Sequence, residues 1–267
     1  MKKESYFLYQ EKKIRYFIDG TGPVVVLLHG FGATGSLWDQ ALQALAVHYT
    51  IIAPDLPGSG KSDAIDNMSM EGIAECIASL VEYLSPEPHC LIGHSMGGYI
   101  SLAYAEQYPT KLKGLGLFHS TAYADGTAKK ETRKKAIDFV RSHGVLAFME
   151  VTIPGLFAPH TAQEQAQLIE KQLKESHNFL ASSVVSYYDA MMKRPDRAGV
   201  LEHFEHPVLF VLGNFDTLLP TEDLLEQAAR SKKSYIYRLE RSGHMGMIEE
   251  PEKTNQILVS YLTRVFG

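Results

Sequence analysis

Three residues far apart in a chain of 267, Ser95, Asp216 and His244, are of the types that can carry out acyl transfer together. A serine hydroxyl is a poor nucleophile near neutrality. It needs a base within hydrogen-bond reach, and the base needs a carboxylate that holds its tautomer and supports its charge. Ser95 stands in Gly93-His94-Ser95-Met96-Gly97-Gly98, a G-x-S-x-G segment. In such a turn the nucleophile sits in a strained conformation between a strand and a helix, and small neighbours let the two approach. Asp216 lies in Gly213-Asn214-Phe215-Asp216-Thr217-Leu218-Leu219-Pro220 and His244 in Ser242-Gly243-His244-Met245-Gly246, so the chain order is Ser, then Asp, then His. The roles expected are nucleophile for Ser95, general base for His244 and orienting acid for Asp216. Because the base must be neutral to act, activity is expected to rise with pH as His244 loses its proton.

The oxyanion of a tetrahedral intermediate needs fixed donors. His29-Gly30-Phe31-Gly32 follows an apolar run, and its glycines would let the backbone N–H of Phe31 face the same point as that of Met96. An acyl pocket is expected among apolar and adaptable side chains, Phe148, Phe157, Tyr187 and Met191, with His119 at a strand end beside them. This chemistry requires neither a metal nor an organic cofactor. His203 and His206 are three apart, but no Cys or further His joins them to make a metal site. Lys129, Lys130, Arg133, Lys134 and Lys135 would attract an acidic substrate or form a solvated helix face, and the second is the commoner use of such a run.

Positioning these groups calls for strands that end at one edge. Residues 6–10 and 14–18 alternate as a hairpin does, and Asp19-Gly20-Thr21-Gly22-Pro23 then breaks the pattern. Val24–Leu28 is a continuous apolar run suited to a strand buried on both faces. Further runs at 49–53, 89–92, 112–118, 208–212 and 235–239 bring the strands to eight, and segments of helical spacing such as 37–47, 73–84 and 99–108 lie between most of them. The fold class expected is α/β, a mostly parallel eight-stranded sheet with helices on both faces. From 121 to 206 only helical patterns appear, so the division is a core of residues 1–120 and 207–267 and a helical insertion of 121–206 over the C-terminal edge of the sheet.

Net charge of −5 and a pI near 6.1 give no basic footprint for nucleic acid. The first residues run into Glu11, Lys12 and Lys13 without the apolar stretch of a signal peptide, and no membrane span is visible. Cys76 and Cys90 sit among apolar residues as small core side chains. A cytoplasmic protein acting on a small-molecule acyl substrate is the expectation, with its oligomeric state open.

The chain resembles the α/β-hydrolase family from the first hairpin to the final helix. The matching segments are His29-Gly30-Phe31-Gly32, Asp55-Leu56-Pro57-Gly58-Ser59-Gly60-Lys61-Ser62, Gly93 through Gly98, Gly213 through Asp216 and Gly243-His244. The resemblance implies a carboxylesterase, a lactonase or a carbon–carbon bond hydrolase, with 121–206 as the cap that shapes the acyl pocket. Ser95 stands where the related dehalogenases and epoxide hydrolases carry a nucleophilic Asp, which argues against those activities. A hydrolase-like ligand receptor would look the same. The rival from another class is a dinucleotide-dependent oxidoreductase. Gly30-Phe31-Gly32-Ala33-Thr34-Gly35 satisfies G-x-G-x-x-G after a strand, and Asp55 follows about 20 residues on. That reading leaves Ser95, Asp216 and His244 unexplained.

Overall fold

Eight stretches are extended in the computed structural model, which describes residues 2–176 and 178–267: β1 (Lys3–Tyr9), β2 (Lys12–Asp19), β3 (Val24–Leu28), β4 (Thr50–Pro54), β5 (His89–His94), β6 (Leu112–Phe118), β7 (Val208–Gly213) and β8 (Ser234–Leu239). They form one sheet in the order β1-β2-β4-β3-β5-β6-β7-β8. β1 and β2 are antiparallel, as are β2 and β4, and every other pairing is parallel. The interior strands β3, β5 and β7 are buried along their whole length, as continuous apolar runs must be when helices cover both faces, whereas β1 and β8 at the edges are partly exposed.

The helices are α1 (Asp39–Leu45), α2 (Met70–Leu84), α3 (Met96–Gln107), α4 (Thr127–Thr152), α5 (Pro159–Glu164), α6 (Ala166–Ser176), α7 (Ala181–Lys193), α8 (Ala198–His203), α9 (Thr221–Arg230), α10 (Gly246–Glu249) and α11 (Pro251–Phe266). The step from β3 to β4 runs one way along the sheet and the steps from β5 to β8 run the other. Right-handed crossovers then place α1 on the face opposite α3, α8 and α9. The helix contacts agree, with α1 packed on α11, and α3 on α2 and α8. The expected helix over 37–47 is shorter, a 3-10 turn at Gly35–Trp38 leading into α1.

Between β6 and β7 the described residues hold no strand. α4 is broken at Gly144, whose φ of +84° a side chain would disfavour. The segment leaves and rejoins the sheet at one place: Arg197 N–H donates to Ala122 O at 2.8 Å, where β6 and β7 run side by side. Among the described residues no helix is long and apolar enough to cross a membrane.

Candidate active site

β5 ends at His94 and α3 begins at Met96, leaving Ser95 alone to turn the chain. Its φ of +52° and ψ of −116° lie outside the regions an L residue favours, so the surroundings must impose them. Ser95 N–H donates to Phe118 O at 2.9 Å and Ser95 O accepts from the Ser120 hydroxyl at 2.7 Å, which ties both sides of the residue to the end of β6. The close approach also excludes side chains nearby: a Cβ on Gly93 would lie 2.2 Å from Gly97 O, and one on Gly97 would lie 2.7 Å from Leu28 O.

Asp216 follows β7 and His244 follows β8, so both reach the edge where Ser95 stands. His244 Nδ1 donates to Asp216 Oδ2 at 2.7 Å. His119, at the end of β6, donates its own Nδ1 to the same oxygen at 3.1 Å, and Leu218 N–H donates to Oδ1 at 3.0 Å. Burial of Asp216 works against its charge, but His244 and then His119 more than offset this and hold the carboxyl well below its usual range. Among the described residues His244 Nε2 is buried without a partner, free to take a proton. A bond from Ser95 Oγ to this nitrogen is not made in the resting geometry; such bonds commonly tighten only when substrate binds. His94 Nε2 donates to His244 O at 2.9 Å, and burial, then the neighbouring imidazoles, hold His94 neutral.

The loop of His244 is fixed mainly by one carboxylate. Glu249 accepts Gly243 N–H at 2.8 Å and Met245 N–H at 3.3 Å through Oε1, and Ala158 N–H at 2.8 Å and the Thr161 hydroxyl at 2.6 Å through Oε2. His244 N–H donates to Leu156 O at 2.7 Å. The segment between β6 and β7 therefore helps to seat the imidazole.

Met96 is the first residue of α3, so its amide has no intrahelical acceptor and sits at the positive end of the helix dipole. Among the described residues neither the Met96 nor the Phe31 amide donates to a protein group. His119, Asp216 and His244 present ligand-type atoms within 4.8 Å of one another, but both Nδ1 atoms are spent as donors to Oδ2, which makes the cluster one for handling protons.

Ser95, His94 and His244 open onto a cavity of about 360 Å³. Of the side chains expected to form a pocket, Phe148 and Met191 are on its wall. Phe157, Tyr187 and His119 are not, and each has a reason. Tyr187 is fully buried with its hydroxyl bound to Pro57 O and the Ser59 hydroxyl, Phe157 is buried where the chain turns from a 3-10 turn into α5, and His119 lies behind the wall on Asp216. The wall also contains Tyr188, an apolar residue of the 121–206 segment, Lys129 and Arg133 of the basic run, and Tyr99, Leu218 and Leu219, which sequence reasoning does not single out. A signal was present for some of them: Leu218 and Leu219 directly follow Asp216, and Lys129 and Arg133 are one helical turn apart.

The dinucleotide reading fails at Asp55. Its buried carboxylate accepts Gly35 N–H and Lys61 N–H, each at 2.9 Å, and Arg15 Nε at 2.6 Å, leaving nothing to offer a ribose. The glycine loop after β3 also leads to a 3-10 turn, where a phosphate site needs the N-terminus of a long helix.

A family model described as the alpha/beta hydrolase fold matches residues 23–133. The chain is similar to the dihydrolipoyllysine-residue acetyltransferase component of the acetoin cleaving system of Pseudomonas putida, with 27% identity over 252 residues, covering 91% of this chain but 64% of that protein. Among solved structures it is similar to a thermophilic esterase from Thermogutta terrifontis, described with malate bound, at a TM-score of 0.92 and 28% identity over the whole of both chains. It is similar in fold to the enol-lactonase from Burkholderia xenovorans LB400, at a TM-score of 0.90 and 20% identity over 97% of this chain and 100% of that one.

Proposed function

We propose that this chain is a serine hydrolase of the α/β-hydrolase family that cleaves an ester, or a lactone or related acyl bond, through an acyl-enzyme, a reading supported by the family model over residues 23–133 and by the likeness to the Thermogutta terrifontis esterase. The observation that carries the reading is the 2.7 Å bond from His244 Nδ1 to Asp216 Oδ2 behind an unpartnered Nε2 on the wall that also holds Ser95. Ser95 Oγ attacks the acyl carbon while His244 Nε2 takes its proton. Asp216 stays ionised and supports the imidazolium. The oxyanion is received by the Phe31 and Met96 amides, each worth about 3–4 kcal/mol of transition-state stabilisation. The imidazolium then gives its proton to the departing alkoxide. A water, deprotonated by His244, attacks the acyl-enzyme, and Ser95 regains its proton as the acid leaves. Residues 121–206 act as the cap of this site, and a mostly apolar wall suits a small, largely apolar acyl group. Both thiols are buried and unpaired, which suits a cytoplasmic enzyme.

The test is turnover of p-nitrophenyl acetate and butyrate by wild type and Ser95→Ala, with a fluorophosphonate label located by mass spectrometry. Label on Ser95 and loss of turnover in the variant are expected. Burst kinetics retained in folded Ser95→Ala would put the nucleophile elsewhere, and a folded wild type that neither labels nor turns over would overturn the reading.

A further inference from the structure

The polar part of the cavity wall carries charge of one sign. Lys129, Thr132, Arg133 and Ala136 of α4 line it at the spacing of one helix face, while Lys134 and Lys135 on the other face are exposed. No Asp or Glu lines this cavity among the described residues. Arg133 is mostly buried, with Nε donating to Asp125 Oδ2 at 2.5 Å and Nη2 at 3.5 Å from Oδ1. The same carboxylate pairs with Arg194 Nη1 at 2.9 Å, so one buried negative charge faces two buried guanidinium groups. Arg194 is otherwise committed, to Met191 O at 2.7 Å, to Tyr123 O at 2.9 Å and to the Tyr99 ring at 3.8 Å. Arg133 Nη1 donates to no protein group among the described residues. Lys129 also borders a neighbouring pocket where Asp125 and Asp223 stand, and it forms an ion pair with neither.

A positive charge that burial has stripped of water, and that its own carboxylate does not fully balance, is costly until an anion meets it. We infer that the site takes an acyl substrate bearing a carboxylate away from the scissile bond, received by Arg133 and Lys129. The inference rests on the serine hydrolase reading and names the class of its substrate. Arg133 supplies a planar N–H donor suited to a carboxylate and Lys129 a point charge beside it. Phe31, Phe148, Leu156, Tyr188 and Met191 supply the apolar wall along which the carbon chain lies.

Two pairs of esters test this, one for each place the carboxylate can sit. Mono-p-nitrophenyl glutarate against p-nitrophenyl pentanoate puts the charge on the acyl part. The para-carboxyphenyl ester of pentanoic acid against its para-carbamoylphenyl ester puts it on the leaving group. Wild type should show a higher kcat/KM for the charged member of at least one pair. That ratio should fall by at least about tenfold in Arg133→Gln, the scale of a charged hydrogen bond, and severalfold in Lys129→Met. Lys129 has no ion-pair partner to lose among the described residues, so its variant decides the matter if Arg133→Gln fails to fold. Turnover of the neutral esters with no preference in either pair, or a preference unmoved by both substitutions, overturns the inference and leaves the hydrolase reading standing. A folded wild type that turns over none of the four esters and does not label at Ser95 overturns the hydrolase reading, and the inference with it.

Discussion

One oxygen, Oδ2 of Asp216, accepts from two imidazoles, and only one of them faces the cavity. His119 acts through Asp216: it occupies the lone pair that His244 does not use and favours the ionised carboxyl. It is a positioning residue, and its loss should show in the pH profile as well as in the rate. His119→Phe is expected to lower kcat by about tenfold, the worth of a hydrogen bond to a charged group, and to raise the pH at which activity fails on the acid side, because the Asp216 charge, no longer shared with His119, then favours the protonated form of His244 more strongly. His119→Asn, which keeps a donor, should restore part of both. Steady-state kinetics across the acid range measures this, and an unmoved acid limb in His119→Phe would mean that His244 alone sets the state of Asp216.

The loops at the strand ends hold the proposed catalytic residues, and their anchors are of two kinds. Glu249 holds the His244 loop and the start of α5 together through four hydrogen bonds. Glu249→Ala should cut kcat by about tenfold or more by loosening the imidazole while Ser95 still labels slowly with fluorophosphonate, as misplacement of a catalytic group by a fraction of an ångström is costly. α3 is held to the sheet by absence of bulk: Gly97→Ala drives a methyl against Leu28 O and His29 O and should destabilise the protein by about 1–3 kcal/mol, read from a denaturant midpoint. Such elements differ in how far they can be read in advance. Val24–Leu28 and Val208–Leu212 announce buried strands because a strand covered on both faces has no polar side to interrupt it. Ser95 and its glycines are local, and so legible, because turn geometry depends on adjacent residues. His119 was legible as a strand end but not as a partner of Asp216, and Lys129 and Arg133 read more readily as a solvated face. Those outcomes depend on how β6 lies beside β7 and on how α4 folds back over the edge, which no local pattern encodes.

At the scale of the whole molecule, several histidines are kept neutral by burial, and this makes stability depend on pH. His29 Nε2 accepts Leu56 N–H at 2.9 Å while Nδ1 donates to Gly30 O at 2.7 Å, so a second proton has no room without breaking a bond. Burial holds both His29 and His89 down to about 4. The unfolded chain takes up these protons near about 6.5 and the folded one only near 4, so stability is full above that upper value and declines on acidification between the two. A loss of about 2 kcal/mol for each histidine by pH 5 is expected, measured as a shift of the urea midpoint between pH 7.5 and 5. His89→Gln should flatten part of that slope. Asp216, whose ionised form the fold favours, adds a further loss below the ordinary carboxylate range.

The hydrogen bond between Ala122 and Arg197 has a different kind of consequence. Arg197 is itself held by Glu106 at 3.0 Å and Glu71 at 2.5 Å, so the two ends of the helical segment meet at a clasp fastened to α2 and α3. The entropy of closing a loop grows only with the logarithm of its length, roughly 0.6 kcal/mol for each doubling. Beyond such a clasp, chain is cheap to add, remove or exchange. The sheet and the loops at its edge can therefore keep their geometry while the segment above them changes in length or sequence, provided that a backbone carbonyl still meets His244 N–H and a donor pair still meets Glu249.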